Sequence, residues 1–485
     1  MKLAKMIHKL LVVYMTLPIL IFILGWIKPF ISIPAAAIVV IMAYRFLMDE
    51  SFVEKAPNVT KKDIETLIFA GIIILLWVYL SGVGKFVYQN WDHIFRNSIF
   101  ELLVNNEWPI IKIFPLNGRD TPLLFVYYIG FWMPAAIVGK LFGLTAGYVF
   151  QMFWACIGLW LFFWLICCFL RRISLLPLLI LIFFSGLDVL GTAILTGKEI
   201  SLFSGEQLGW WAGMQFSSFT TQLFWVFNQA IPGWILTVLI LSQEKNKYIV
   251  FLLGISLIFC PLPFIGLLPF VVFVLLRNVR NQNNIKTSFV DMFSIENLLG
   301  GGVSGILTYL YFKANSSGQH IVFIPVASTQ NVGFFFNVVL FLLLEVGVYV
   351  LAIYKYQKKN PLLYIAFIYL CTCPLIDIGY GGDYCMRACI PAQVVIFLLV
   401  VRTIYESRQK KDTITVIALT VLLSIGAVTS VHEINRTIRN TIERFRSNLP
   451  VYADTLSEEE LMMGEKGTNF RGDALNSIFC KCFAR

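Results

Sequence analysis

The segment Trp91-Asp92-His93-Ile94-Phe95-Arg96 places a carboxylate, an imidazole and a guanidinium directly after a long apolar run. A carboxylate within reach of a hydroxyl can act as a general base, and an arginine fork pairs well with phosphate oxygens. Asp is also among the best helix N-caps, so both capping and catalysis are open to Asp92. A second cluster runs from Phe184-Ser-Gly-Leu-Asp188 through Lys198, Glu199 and Glu206 to Trp210, Trp211, Gln215, Trp225, Asn228 and Gln229. An ionisable residue at the end of an apolar span is a site candidate because burying it is costly. Tryptophans among amides and hydroxyls resemble a saccharide-binding wall, although an interfacial aromatic belt accounts equally well for any one of them. The third cluster is Asp377 with Tyr380-Gly-Gly-Asp383-Tyr-Cys-Met-Arg387. Asp383 and Arg387 have ion-pair spacing at a helix start, and Arg387 is alternatively a phosphate grip. Glu345, the deepest acid, reads as a hydrogen-bonded packing residue.

The elements that position these groups must be membrane helices. The chain of 485 residues is 58% hydrophobic and 14% charged, whereas an ordinary soluble domain carries roughly 25% charge. Apolar runs recur from Leu10 to Thr429, which predicts an all-α, polytopic integral membrane protein with about 12–14 transmembrane helices and interfacial helices in its outer loops. One of the latter is expected over 93–105, where Phe95, Ile99, Leu102 and Leu103 lie at helical spacing. The first apolar run follows Lys2, Lys5 and Lys9 without a small-residue cleavage site, so it reads as a retained span.

Basic clusters at Lys2 to Lys9, Lys61-Lys62, Lys245 to Lys247, Arg277 to Lys286, Lys355 to Lys359 and Arg402 to Lys411 would all be cytoplasmic. The polar clusters then share the other face. Placing Arg171-Arg172 inside as well requires that 121–139 or 143–170 not cross simply, and a re-entrant 121–139 satisfies this. From Val431 the composition turns polar; Ile434, Ile438, Ile442 and Phe445 predict a helix lying on the membrane surface. Four regions follow: an N-terminal membrane hairpin (1–62), a membrane core with outer acidic loops (63–243), C-terminal membrane helices (244–430) and a polar, extracytoplasmic tail (431–485).

Several classes are disfavoured. Of the ten cysteines, Cys156, Cys167, Cys168, Cys260 and Cys371 lie in apolar runs and the Cys371-Thr-Cys373 and Cys480-Lys-Cys482 pairs lack metal-ligand spacing, the four histidines are scattered, and neither a Walker loop nor a dinucleotide fingerprint is present. Gly300-Gly-Gly302 reads as helix packing. The formal charge of +10 sits at span ends and does not indicate nucleic acid. No internal repeat of the kind found in secondary transporters is evident.

The Asp92 loop, the interfacial helix behind it, Thr121-Pro-Leu-Leu-Phe-Val-Tyr-Tyr-Ile-Gly leading to Leu141-Phe-Gly143, and the second acidic outer loop together resemble the C-superfamily of membrane glycosyltransferases. The resemblance is one of element order over about 64–243. The chain departs from that pattern in having two spans before the acidic-loop helix and a lone Asp where many members show paired acids. The resemblance implies a polyprenyl-phosphate-linked sugar donor, a cell-envelope glycan or glycolipid acceptor, and an extracytoplasmic active face in a multi-pass cell-membrane protein surrounded by lipid. It implies Asp92 as general base, with Arg387, Arg96 or His93 neutralising the departing phosphate. Asp188, Glu206 and Gln229 would hold sugar hydroxyls, with Trp210 and Asp383 completing the substrate contacts. A divalent metal is compatible with this chemistry but not required. A flippase or transporter for a lipid-linked saccharide and a non-catalytic membrane scaffold are the alternatives.

Overall fold

The computed structural model describes residues 2–49, 56–116, 118–197, 208, 211, 214–281, 285–315, 322–323, 332–378 and 382–485. Helices α1 (Lys2–Trp26) and α2 (Pro29–Met48) form a hairpin, with Pro29 at the first helical position, where its missing N–H costs nothing. A reciprocal Thr60–Asp63 capping box opens α3 (Lys61–Leu80). The chain then leaves the apolar layer for α4 (Asp92–Asn105) and the hairpin β1 (Ile111–Leu116) and β2 (Arg119–Phe125). Helices α5 (Met133–Phe142) and α6 (Leu144–Leu170) pack side by side, with Gly139 against Gly147.

The expected span over 121–139 is replaced by these elements. Residues 119–125 are strand, and α5 has ten residues, about 15 Å at 1.5 Å per residue, against roughly 30 Å of hydrocarbon. This segment therefore makes no simple crossing, the condition for placing Arg171-Arg172 on the same side as the other basic clusters.

The next span is broken into α7 (Leu176–Phe183) and α8 (Asp188–Thr196), and in the gap Leu187 N donates to Leu344 O at 3.2 Å. Helix α9 (Phe219–Leu241) is kinked at Val226 (φ −135°, ψ 33°). Helices α10 (Ile249–Ser256) and α11 (Pro261–Asn281) meet at the Pro261 break, followed by α12 (Ile285–Met292) and α13 (Gly302–Lys313). Gly301 permits backbone contact with α10, since a Cβ there would lie 2.4 Å from Val250 O. Beyond β3 (Val322–Phe323), α14 (Val332–Leu342) and α15 (Val348–Gln357) are joined by π-helical turns over Leu343–Gly347. Then follow α16 (Pro361–Thr372), β4 (Ile376–Asp377) paired with β3, α17 (Asp383–Ala388), α18 (Ile390–Gln409), α19 (Thr413–Arg446) and α20 (Glu458–Met463).

Among the described residues, ten helices are long and apolar enough to cross a membrane. With helix dominating and strand confined to short pairs, the chain is an all-α, polytopic membrane protein. Its centre is the pair formed by α9 and the α17–α18 segment, both almost wholly enclosed, while α3 and α19 turn much of their apolar surface outward.

Helix α19 corrects the reading of the tail. Its 34 residues form one helix, about 51 Å long at 1.5 Å per residue, so the polar half continues the apolar half instead of lying separately on the membrane surface. The remaining tail runs back over the same end of the bundle. Strand β5 (Arg471–Asp473) adds to β2, with Phe125 opposite Arg471, and Arg485 N donates to Trp26 O at 3.0 Å. At the opposite end, basic residues gather on acids: Arg45 and Lys247 flank Glu296 at 2.6 and 3.1 Å, and Lys355 meets Asp412 at 2.6 Å.

Candidate functional site: two aspartate–arginine pairs joined by tyrosines

The kink in α9 explains how α4 is held. A normal helix would satisfy the carbonyls of Phe224 and Trp225 four residues on, and the distortion at Val226 disrupts that ladder. Both carbonyls accept hydrogen bonds from α4 or the turn before it. Asn90 Nδ2 donates to Phe224 O at 2.8 Å, His93 Nε2 lies 3.0 Å from the same oxygen, and Arg96 Nε donates to Trp225 O at 3.4 Å.

Asp92 is the first residue of α4, but its side chain does not cap the helix. The preceding turn is closed by Asn90, whose Oδ1 accepts from Asp92 N at 3.1 Å. The Asp92 carboxylate instead accepts from Arg96 Nη2 at 3.1 Å and keeps 18% of its side chain exposed. Arg96 Nη1 donates to the Tyr127 hydroxyl at 3.0 Å, and that hydroxyl contacts the hydroxyl of Tyr128. Burial holds the Tyr127 phenol well above its usual pKa, so it retains its proton.

On the far side, Arg387 Nη1 donates to the Tyr128 hydroxyl at 3.0 Å and to Asp383 Oδ2 at 3.1 Å, while Nη2 reaches Asp383 Oδ1 at 3.0 Å. Arg387 Nε is buried and has no acceptor among the described residues. Two Asp–Arg pairs of identical i,i+4 spacing, on α4 and α17, are thus joined through consecutive tyrosines. Each guanidinium is partly neutralised by its own aspartate, and an entering anion can compete for both.

The other expected residues are placed as follows. His93 is fully enclosed, with its second ring nitrogen 3.2 Å from Gln89 Nε2, and burial lowers its pKa to about 4. It is neutral at physiological pH and joins α4 to α9, so it does not supply the positive charge expected of it. Asp188 is fully buried in a separate cluster: its Oδ2 accepts from Ser185 Oγ at 2.5 Å and Thr429 Oγ1 at 2.8 Å. Its carboxyl lies within hydrogen-bonding reach of Glu345, whose Oε1 accepts from Trp211 Nε1 at 2.9 Å. Gln229 is enclosed in α9, and its amide has no partner among the described residues. Glu206 and Trp210 lie outside the described residues.

Trp91 and Trp225 were read in separate clusters, and Glu433, Arg436 and Lys466 were not read as site residues; the fold brings all five together near the twin pairs. Trp225 Nε1 donates to Glu433 Oε2 at 3.0 Å, Glu433 pairs with Arg436, and the Arg436 guanidinium lies 5.1 Å from the Trp225 ring centre. Trp91 meets Trp225 edge-on at 6.4 Å, and Lys466 of the tail stands 4.2 Å from the Trp91 ring centre. The Tyr127-Tyr128 doublet was visible as a motif, but nothing local linked it to either arginine. Lys466 lies hundreds of residues from Trp91, so only the fold brings them together.

Among the described residues, no three His, Cys, Asp or Glu side chains gather as a metal-ligand set. Compared with family models, curated proteins and solved structures, the chain matches none.

Proposed function

We propose that this chain is a membrane glycosyltransferase, moving a sugar from a polyprenyl-phosphate donor to a cell-envelope glycan or glycolipid acceptor at the outer face of the cell membrane. The observation that supports this reading is the convergence of Asp92–Arg96 and Asp383–Arg387 on the hydroxyls of Tyr127 and Tyr128. A carboxylate with partial access to solvent, beside two guanidiniums that can take a phosphate, supplies the parts this reaction needs.

In this reading the donor phosphate occupies the space between Arg96 and Arg387, where Arg387 Nε has no acceptor among the described residues. Competition for Arg96 loosens its hold on Asp92. The freed carboxylate takes the proton of the acceptor hydroxyl as the hydroxyl oxygen attacks the anomeric carbon opposite the phosphate. A glycosidic bond forms, the bond from anomeric carbon to phosphate oxygen breaks, and its electron pair leaves with the lipid phosphate. Inversion follows from attack on the opposite face. Arg387, Arg96 and the protonated Tyr127 stabilise the developing anion. Gln229, whose amide has no partner among the described residues, is retained as a sugar contact.

The second reading, a transporter of a lipid-linked saccharide, draws on the Asp188–Glu345 pair inside the bundle, since ionisable groups there often mark transport paths. Glycan composition in cells carrying Asp92→Asn, compared with wild type and a deletion at matched membrane levels, separates the two. The enzyme reading expects the substitution to lose the same sugar substituent as the deletion. Unchanged composition with normal protein levels would leave Asp92 without a catalytic role and favour transport.

A further inference from the structure

Beside the twin Asp–Arg pairs lies an aromatic and cationic surface that the proposed chemistry does not use. Trp91 is 52% exposed, unusually open for an indole in a protein with this many enclosed aromatics. Its ring is bounded edge-on by Phe95 at 6.2 Å and by Trp225 at 6.4 Å. The Lys466 ammonium stands over Trp91 at 4.2 Å and lies 5.1 Å from the Phe95 ring centre. Over Trp225 stands Arg436, buried, paired with Glu433 through Nη2, and with Nε lacking any acceptor among the described residues.

Four separate parts of the chain build this surface: the turn before α4, the kinked α9, the polar half of α19 and the tail. The tail is fixed where it passes. Phe470, four residues after Lys466, stacks on Phe95 at 6.0 Å and packs on Tyr127 at 4.9 Å, and β5 follows immediately. Lys466 is therefore carried to Trp91 by a hydrogen-bonded strand and a buried ring.

Indole surfaces pack against the C–H faces of sugar rings, and a cation at the rim selects for negative charge. We propose that Trp91, Trp225, Arg436 and Lys466 form an acceptor subsite for a saccharide bearing a negative charge, such as a uronic acid residue. This rests on the glycosyltransferase reading for the word acceptor, but binding itself can be tested independently. The shared chemistry is an anion next to an apolar ring face. A lipid phosphate could offer a similar anion, so the test must tell the two apart.

The full-length protein in nanodiscs would be titrated with a glucuronate-terminated disaccharide, with its neutral glucose-terminated counterpart, and with farnesyl phosphate. The proposal expects the acidic disaccharide to bind about tenfold more tightly than the neutral one, the scale of one charge-assisted contact. Lys466→Ala should abolish that preference, Lys466→Arg should keep most of it, and Trp91→Ala should weaken both disaccharides. Saturating farnesyl phosphate should leave disaccharide binding in place. Equal affinity for the two disaccharides, or a preference that survives Lys466→Ala in folded protein, overturns the proposal. Competitive displacement by farnesyl phosphate overturns it too, because the anion would then be the lipid phosphate. Failure of wild type to bind farnesyl phosphate, with the acidic disaccharide still preferred, would count against the donor reading and leave the subsite standing.

Discussion

Asp92 and His93 are neighbours with opposite situations. The carboxylate of Asp92 is partly open and shared with Arg96, whereas the imidazole of His93 is closed in between Gln89 and the Phe224 carbonyl. A base whose native pKa lies below its unfolded value makes the folded state bind fewer protons than the unfolded one. For His93, held near 4 by burial against an ordinary 6.5, stability is full above about pH 6.5 and is lost as pH falls towards about 4, by something of the order of 3 kcal/mol. Thermal unfolding of His93→Gln followed from pH 7 to 4 should therefore lack most of the acid limb seen in wild type; an unchanged limb would assign acid sensitivity elsewhere. The Asp383–Arg387 pair was read from its helical spacing, whereas Asp92 was read as a cap or a base and its equally spaced pairing with Arg96 was not. The junction of the two pairs was not legible in the sequence. It depends on Tyr127 and Tyr128 presenting hydroxyls to two helices distant in sequence.

Among the elements, the kinked α9 does the most to position the site. Because Val226 breaks the helical ladder, the Phe224 carbonyl is held by Asn90 and His93. Asn90 also closes the turn into α4 through its Oδ1. Asn90→Ala should accordingly lower thermal stability by about 1–3 kcal/mol, the cost of unpairing buried polar groups, and reduce turnover further by displacing Asp92. Stability loss without any effect on the site would show that α4 is positioned by other contacts. Hydropathy revealed most of the helices, since in lipid each must satisfy its own backbone. It misread 121–139, where apolar side chains belong to a strand: Pro122 faces Ile113 in β1, and Leu124 faces Gly472 in β5. The hairpin with β1 is local, but the β2–β5 pairing is set by a partner far along the chain, which no local window contains. The length of α19 was missed for a related reason. Glu433 and Arg436 look like surface residues until Trp225 supplies their partner.

For the molecule as a whole, the tail is part of the site end. Ala453 N donates to Gln89 Oε1 at 3.0 Å, Leu456 N to Ser98 Oγ at 2.8 Å, and Glu458 takes Asn106 and Lys112, each at 2.7 Å. These contacts run along α4 and into β1, so the tail braces the helix that carries Asp92 and Arg96. A chain ended after Arg446 should still insert its membrane helices, which bury their own apolar faces, but hydrogen exchange in residues 92–105 should rise markedly. Unchanged protection there would mean that α9 alone holds α4. The same truncation removes Lys466, so the acidic-sugar preference proposed above should vanish with it.

The claim on which the rest depends is that the two Asp–Arg pairs act as one anion site. A double-mutant cycle on farnesyl phosphate affinity, using Arg96→Gln, Arg387→Gln and the double variant in nanodiscs with folding checked by thermal unfolding, tests it most directly. Each single change should weaken binding by about 2 kcal/mol, roughly thirtyfold, as expected for a charged hydrogen bond. The pair should depart from additivity by about 1 kcal/mol or more, because both arginines would grip one phosphate. Strict additivity, or affinity unchanged by either substitution in folded protein, would contradict a shared site.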